Sequence, residues 1–134
     1  MGHELDGDTT PIAAGLDFAL RKSGGYLGAA AVQEARAEGC VADVVTILFE
    51  DLAAVPLGHE PIYSGETIVG ETSSAAVGYR VGCPVALGRT HHPLSDGAQV
   101  SVDIAGERFA GRVVIGAAFD PDGQRMRSCA LVDV

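Results

Sequence analysis

Val44-Val45-Thr46-Ile47-Leu48-Phe49 is the stretch that decides the fold class of this 134-residue chain. β-Branched and aromatic residues of this kind favour a strand, and Pro56 and Gly58 bound the run with turn formers. Downstream, short apolar or alternating segments lie between glycine-containing turns. They predict further strands at residues 61–63, 67–70, 85–88, 100–104, 107–115 and 126–132. Short strands joined by turns indicate a mainly β domain, either a small closed barrel or a jelly-roll-like sandwich.

The sequence before this run predicts a helix. Residues 29–38 are rich in alanine, a strong helix former, and Gly39 stands where a C-terminal cap is expected. In residues 12–20 the apolar residues are irregularly spaced, so a helix and an extended segment both remain open there. The polar, acidic residues 1–10 are typical of a linker. The chain thus divides into an N-terminal linker and helical segment, 1–39, and a β domain, 40–134.

Charge and composition exclude several classes of partner. Nine Lys and Arg side chains against 18 Asp and Glu give a formal net charge of −9. Nucleic acids and anionic membranes both select for clustered positive charge, so we expect no nucleic-acid partner and no membrane. No apolar run approaches the roughly 20 residues of a membrane-spanning helix, and residues 1–6 lack the features of a signal peptide. We therefore predict a soluble, cytoplasmic protein in which Cys40, Cys83 and Cys129 are free thiols.

No motif assembles an active site by itself. His91 and His92 are adjacent, so on a strand their imidazoles point to opposite faces, and no acid or cysteine within three positions completes a metal site. We predict an exposed loop there and no metal. Ser64 and Ser73-Ser74 lack the G-x-S-x-G elbow of a serine hydrolase, and residues 24–28 lack the glycine spacing of a nucleotide-binding loop. The residues alone therefore name no catalytic group.

Several segments, in order along the chain, carry a resemblance to one family. The N-terminal segments are Asp8-Thr9-Thr10-Pro11, Ala14-Gly15-Leu16-Asp17-Phe18, Arg21-Lys22 and Gly25-Tyr26-Leu27-Gly28. Those in the β part are Glu60-Pro61-Ile62-Tyr63, Ile68-Val69-Gly70, Thr72-Ser73, Val85-Ala86-Leu87-Gly88, Gly106-Glu107-Arg108 and the run 119–127. Together they resemble the aminomethyltransferase superfamily, typified by the glycine-cleavage T-protein. The last two are most similar to the C-terminal part of dimethylglycine and sarcosine dehydrogenase-like flavoproteins.

The resemblance implies a six-stranded antiparallel barrel with a short N-terminal helical segment, in which residues 1–39 end a preceding folate-binding domain. The predicted barrel core comprises Val45, Ile47, Phe49, Ile62, Ile68, Val85, Leu87, Val102, Ile104, Val114 and Leu131. In this family a one-carbon unit passes from an amine carrier to tetrahydrofolate bound between three domains. The key Asp lies in the N-terminal domain, and FAD in the flavoprotein branch lies in another. The resemblance therefore implies no catalytic residue in this chain, and Arg125 and Arg127 as contacts to tetrahydrofolate.

Several positions depart from the family pattern. Ala13 stands where relatives usually carry an acid, Ala42-Asp43 where they commonly carry a basic residue, and Cys83-Pro84 where a basic residue and Ser are usual. An Asp would repel the carboxylates of folate, which an Arg could bind. Two interpretations remain open. The chain helps to close the folate site of a larger protein against its remaining domains, or it is a free-standing, non-catalytic binding or assembly module that forms a homo-oligomer or binds a partner.

Overall fold

Six antiparallel strands form a closed barrel in the computed structural model, which describes residues 4, 5, 7, 9–39 and 43–127. The strands are β1 (Val44–Phe49), β2 (Pro61–Ser64), β3 (Thr67–Gly78), β4 (Cys83–Thr90), β5 (Gln99–Ile104) and β6 (Glu107–Val114). Their order around the barrel is β1-β4-β3-β2-β5-β6, and β6 pairs again with β1. The predicted mainly β, six-stranded antiparallel barrel is confirmed, and the sandwich is excluded.

β1 supplies the centre of the barrel because its residues alternate strictly between the interior and the outside. Val45, Ile47 and Phe49 point inward and are at most 3% exposed. Ile62 and Val102 are fully buried and are register partners across the β2–β5 pair. These five core predictions are confirmed. Complete burial of such a side chain stabilises the fold by about 1.5–3 kcal/mol.

The predicted core is wrong by one residue in β3, β4 and β6. Ile68 is 54% exposed, and Val69 is buried in its place. In β6 the buried residues are Gly111 and Val113, and Val114 is half-buried. The buried positions of β4 are Pro84, Ala86, Gly88 and Thr90, whereas Val85 and Leu87 are half-buried. A shift of one residue moves every side chain of a strand to the other face, so each error has the same geometric cause.

The narrow interior determines which face of β4 points inward. A Cβ added at Gly88 would lie 2.6 Å from the Cδ1 atom of Ile62, so a larger residue does not fit there without a shift. The larger side chains of β4 therefore lie outside. Ile104 is also only half-buried, although it packs against the core, and Leu131 lies outside the described residues.

A strap formed by residues 9–20 lies against the outside of the barrel. The Asp43 N–H donates to the Ala13 carbonyl oxygen over 3.0 Å, and Ile12 of the strap is only 6% exposed. The strap ends in a turn of 3-10 helix, Asp17–Ala19, and helix α1 (Ala29–Ala37) follows it. This helix matches the predicted one. The domain boundary at residue 40 stays a prediction.

Helix α1 is tied to the strap rather than to the barrel. The Arg36 guanidinium lies 2.5 Å from the Asp17 carboxylate, which joins α1 to the 3-10 turn. Among the described elements, α1 makes no extensive contact with any strand. No described helix has the length and apolar character needed to cross a membrane.

The strand predicted at 126–132 is wrong at its start. Gln124–Arg127 form a short helix, α2, instead. The Asp120 carboxylate accepts the N–H groups of Gln124 and Arg125 over 2.8 and 3.2 Å, which satisfies donors that have no partner within the helix. The remainder of this predicted strand lies outside the described residues, as do Cys40 and Cys129. Cys83 is a free thiol, as predicted.

Candidate functional site

Three polar residues join the strap to the barrel. Arg89, on the outer face of β4, donates to the Thr9 hydroxyl over 3.0 Å and to Asp43 Oδ2 over 3.3 Å. The Arg89 and Asp43 side chains are each 32% exposed, so water screens their ion pair only in part. The other oxygen, Asp43 Oδ1, is buried and accepts no hydrogen bond from the described residues. A buried acceptor of this kind can take a donor from a ligand.

The structure thus brings two of the departures from the family pattern together. Ala13 and Asp43 share a backbone hydrogen bond, and Arg89 reaches the same place from β4. A guanidinium therefore lies beside Asp43, but it belongs to Arg89 of β4 and not to the segment before β1. Sequence reasoning does not find Arg89. Leu87, predicted in the core, lies two residues before Arg89 and therefore on the same face of β4, and that face points outward in the structure.

The strap and the outer face of the barrel enclose an open groove of about 340 Å³, which we call the barrel groove. Its lining residues are small or apolar: Ala14, Gly15, Val44, Thr46, Leu87, Ile115 and Gly116. Val44 is the register partner of Arg89, so the Arg89–Asp43 pair lies next to the groove. Leu87, one of the outward-facing residues of β4, forms part of the groove wall.

A second groove of about 340 Å³, the helix groove, lies between the strap and α1. It is almost entirely apolar and is lined by Thr10, Pro11, Ile12, Leu20, Tyr26, Leu27, Gly28, Ala31, Val32 and Ala35. The Tyr26 hydroxyl is buried without a hydrogen-bond partner among the described residues. Leu27 is fully exposed and Phe18 is 85% exposed. Exposed apolar groups beside an apolar groove mark a contact surface.

A polar cluster around Glu60 fixes the loop before β2. The Glu60 carboxylate accepts the N–H groups of Leu57 and Gly58 over 2.5 and 2.9 Å, and it also accepts the hydroxyl of the buried Thr72. Partial burial raises the pKa of Glu60, but the hydrogen bonds from Thr72 and from the backbone together outweigh it. The pKa of this carboxyl is therefore lowered from its usual value.

Replacing Glu60 by Gln is expected to destabilise the fold in a pH-dependent way. A carboxyl with a lowered folded-state pKa contributes stability above its unfolded-state pKa and loses it as the pH falls through the folded-state value. At pH 7 we expect Glu60→Gln to lower the free energy of unfolding by about 1 kcal/mol, a modest value because water screens this carboxylate. The difference should shrink in acid. Urea unfolding from pH 7 to pH 2 measures it.

Glu66→Gln is the matched control for this experiment. The Glu66 side chain is 89% exposed and forms a surface ion pair with Arg108, so its replacement should change the free energy of unfolding by less than about 0.5 kcal/mol. A Glu60→Gln effect of the same size at pH 7 and at pH 2 would contradict the role assigned to the ionised carboxylate.

Arg125 and Arg127, the predicted cofactor contacts, lie on α2 and are exposed. The Arg125 guanidinium lies over the Phe119 ring, 5.2 Å from its centroid. Arg80, from the turn after β3, lies over the same ring at 5.5 Å. Nothing in the local sequence connects residue 80 with residue 119, so the sequence alone does not predict this contact.

The described residues contain no metal centre. In residues 4, 5, 7, 9–39 and 43–127, no group of three His, Cys, Asp or Glu side chains could hold a metal ion. His91 and His92 are exposed in the segment after β4, in agreement with the predicted exposed loop. Cys83-Pro84 begins β4, with Pro84 buried.

Comparisons with known proteins give the family of this chain. Residues 43–120 match the family described as the glycine cleavage T-protein C-terminal barrel domain. An aminomethyltransferase from Corynebacterium aurimucosum is 35% identical over 111 residues, which cover 81% of this chain and 30% of that protein. The human mitochondrial dimethylglycine dehydrogenase is 28% identical over 116 residues, covering 84% of this chain and 13% of the relative.

A solved structure shows the same fold. The glycine cleavage system aminomethyltransferase T from Bartonella henselae superposes with a TM-score of 0.71 at 24% identity, over 85% of this chain and 33% of that one. The chain thus spans a third or less of the length of these relatives. Because the family match covers more than half of the 134 residues, the chain belongs to the glycine cleavage T-protein C-terminal barrel domain family.

Proposed function

We propose that this chain is the C-terminal barrel region of a cytoplasmic, tetrahydrofolate-dependent one-carbon transfer protein of the glycine cleavage or dimethylglycine/sarcosine demethylation type. In this role it helps to close the folate site, while the catalytic residues, and FAD in a flavoprotein parent, belong to other domains. The observation that carries the proposal is the barrel groove with the Arg89–Asp43 pair beside it, on a barrel of this family.

The chemistry of this chain's residues fits a folate. A folate combines a flat ring that carries N–H donors with the carboxylates of a glutamate. The barrel groove offers small and apolar walls, and its volume lies in the range of small-molecule pockets. Asp43 Oδ1 is a buried acceptor to which no described residue donates, and Arg89 offers a guanidinium beside it. Arg125 and Arg127 are the proposed contacts for the carboxylates.

Bound tetrahydrofolate would accept the one-carbon unit, and the residues described here would bind and orient it. The strap covers part of the outer barrel face, so it would also exclude water from that side of the groove. No described group of this chain is assigned a proton-transfer or nucleophilic role.

The helix groove supports a second part of the proposal, contact with the remaining domains of a larger protein. Leu27 and Phe18 are highly exposed, and α1 has no extensive support from the described strands. A helix of nine residues is too short to be stable by itself in water, so it requires packing on its apolar side. The matched region makes up only 30% and 33% of two of the relatives, which supports a neighbouring domain as the occupant.

An assay of one-carbon transfer tests the assignment of catalysis to other domains. We expect the 134-residue chain to transfer no aminomethyl carbon to tetrahydrofolate above the rate of a heat-denatured sample. The reason is that we assign the key catalytic Asp of this family to a domain other than the C-terminal barrel. Turnover clearly above that control would refute the assignment.

The second candidate function is a free-standing, non-catalytic assembly module, which the exposed Leu27 and Phe18 also favour. An immunoblot of cell extract separates the two. A band several times larger than 13.7 kDa supports the one-carbon transfer protein. A band near 13.7 kDa, with an oligomeric mass by light scattering, supports the assembly module, and a monomer at high concentration counts against self-association.

A further inference from the structure

The first half of β6 has a neighbouring strand on only one side. β5 pairs with residues 107–112 of β6, whereas β1 pairs only with residues 111–114. The β5–β6 hairpin therefore extends past the end of β1. Among the described residues, no strand lies on the β1 side of residues 107–109. β6 thus has an open edge at the start of the strand.

The backbone groups of Arg108 face this open edge. Where the chain leaves β1, the Glu50 N–H donates to the Ala110 carbonyl oxygen over 3.2 Å, so the backbone of Ala110 points to the β1 side. Successive residues of an antiparallel strand point their N–H and C=O groups to alternate sides. Those of Arg108, two residues earlier, therefore also point to the β1 side, where no described strand pairs with them. An N–H and a C=O on an open strand edge can bond to an added strand.

An open groove of about 630 Å³, which we call the edge groove, lies along this edge. Its walls are residues 107–110 of β6 and residues 50–52, which follow β1. Phe109 packs against the core and Leu52 is 72% exposed, so the groove offers apolar contacts as well as the backbone of Arg108. None of its lining residues lines the barrel groove or the helix groove. The edge groove is therefore a separate surface.

The edge groove carries uncompensated negative charge. Glu50, Asp51 and Glu107 are exposed in its walls, and none of them forms an ion pair within the described part of the chain. Arg108, the cation in its lining, already lies 3.2 Å from the Glu66 carboxylate, outside the groove. A segment with positive side chains that entered the groove would therefore meet three carboxylates that lack a cation.

The same charges disfavour a second copy of this chain as the occupant. Pairing of two copies edge to edge would bring their Glu50, Asp51 and Glu107 side chains close together, on chains that each carry a formal net charge of −9. Like charges opposite one another destabilise paired strands, whereas opposite charges stabilise them. Acids beside the open edge thus reject an acidic strand and favour a basic one.

We propose that the edge groove binds an extended, positively charged segment of a partner protein, which pairs with β6 as an added strand. The backbone of the segment bonds to the N–H and C=O of Arg108. Its Lys or Arg side chains lie against the three carboxylates, and an apolar side chain between them contacts Leu52 and Phe109. This interaction goes beyond the proposed function and does not require a folate.

Hydrogen exchange of single amides, followed by NMR, tests the added strand directly. The probe is acetyl-Lys-Thr-Val-Thr-Lys-amide, mixed with the 134-residue chain. In the chain alone the Arg108 N–H should exchange rapidly, whereas the Phe109 N–H, which faces Val102 of β5, is the protected internal reference. When about nine-tenths of the chain is bound, we expect exchange at Arg108 to slow about tenfold, because only the unbound tenth exchanges.

Two matched peptides and two variants separate strand pairing from general attraction of charge. A peptide with Glu in place of both Lys residues should not bind, and one with N-methyl groups on its three central residues keeps the charge but should not slow exchange at Arg108. Glu107→Gln should weaken binding of the first peptide about threefold, the effect of one exposed charged contact. Glu34→Gln, which removes an exposed acid from α1, should leave the affinity unchanged.

The inference is overturned if the N-methylated peptide binds as tightly as the unmodified one, or if Glu34→Gln costs as much affinity as Glu107→Gln. In either case the negative charge of the whole chain would explain the binding. Protection of the Arg108 N–H in the chain alone also overturns it, because the edge would then already be covered. Light scattering assigns that outcome: a dimeric mass means that a second copy covers the edge, and a monomeric mass means that the chain covers its own edge.

Discussion

The Ile47→Asp variant is expected to be largely unfolded at 25 °C. Ile47 is 0% exposed in the middle of β1, so the substitution places a carboxylate in the barrel interior, where no described residue supplies a cation to pair with it. Burial of an unpaired charge is among the few single changes that cost about 4–5 kcal/mol, which is close to the whole stability of a small domain. Far-UV circular dichroism and urea unfolding measure the loss.

The same substitution at Ile68 is the matched control, because it replaces the same residue type on the outside of the barrel. Ile68 is 54% exposed in β3, so Ile68→Asp should cost less than about 1 kcal/mol. This pair also tests the register of β3, because an inward-facing Ile68 would make both variants unfold. A folded Ile47→Asp variant with unchanged stability would contradict the barrel core described here.

Gly70→Ala is the second change with a large expected effect. A Cβ at this position would lie 2.0 Å from the Arg89 carbonyl oxygen and 2.8 Å from the Thr90 Cα atom, so β3 and β4 would have to move apart. Gly70 is the register partner of Thr90, and the next pair is Glu71 with Arg89. We expect a loss of about 3 kcal/mol in the free energy of unfolding, measured by urea titration.

Gly7→Ala is its control, because a Cβ there would have no neighbour within 4 Å. Both variants restrict the unfolded chain equally, so the difference between them isolates the steric clash. The Gly70→Ala variant should also weaken the Arg89–Asp43 contact, since Arg89 must shift with β4. Equal stability of the two variants would show that β3 and β4 are not as close at Gly70 as the structure has them.

Much of the candidate site could not have been predicted from the sequence, although most of its elements could. Val44–Phe49 carries strong β-formers, which predict β1, and the predicted inward residues Val45, Ile47 and Phe49 are the buried ones. The helix at residues 29–37 followed from its alanines. The resemblance predicts Arg125 and Arg127 as cofactor contacts. They lie on a short helix, whose N-terminus the Asp120 carboxylate caps, and not on the predicted strand.

The sequence by itself determined that this chain forms short antiparallel strands. β-Branched runs separated by glycine turns have few other ways to pair their backbone N–H and C=O groups in hydrogen bonds. Only the tertiary structure decided which face of β4 points inward. Val85 and Leu87 alternate with Ala86 and Gly88, so both faces are apolar and alternation alone cannot choose between them. The narrow interior of the closed barrel accepts the small residues, and the larger ones lie outside, where Leu87 lines the barrel groove. Closure of the barrel also brought Arg89 to Asp43 and Arg80 to Phe119, because contacts between distant segments depend on strand order and register, which local sequence does not encode.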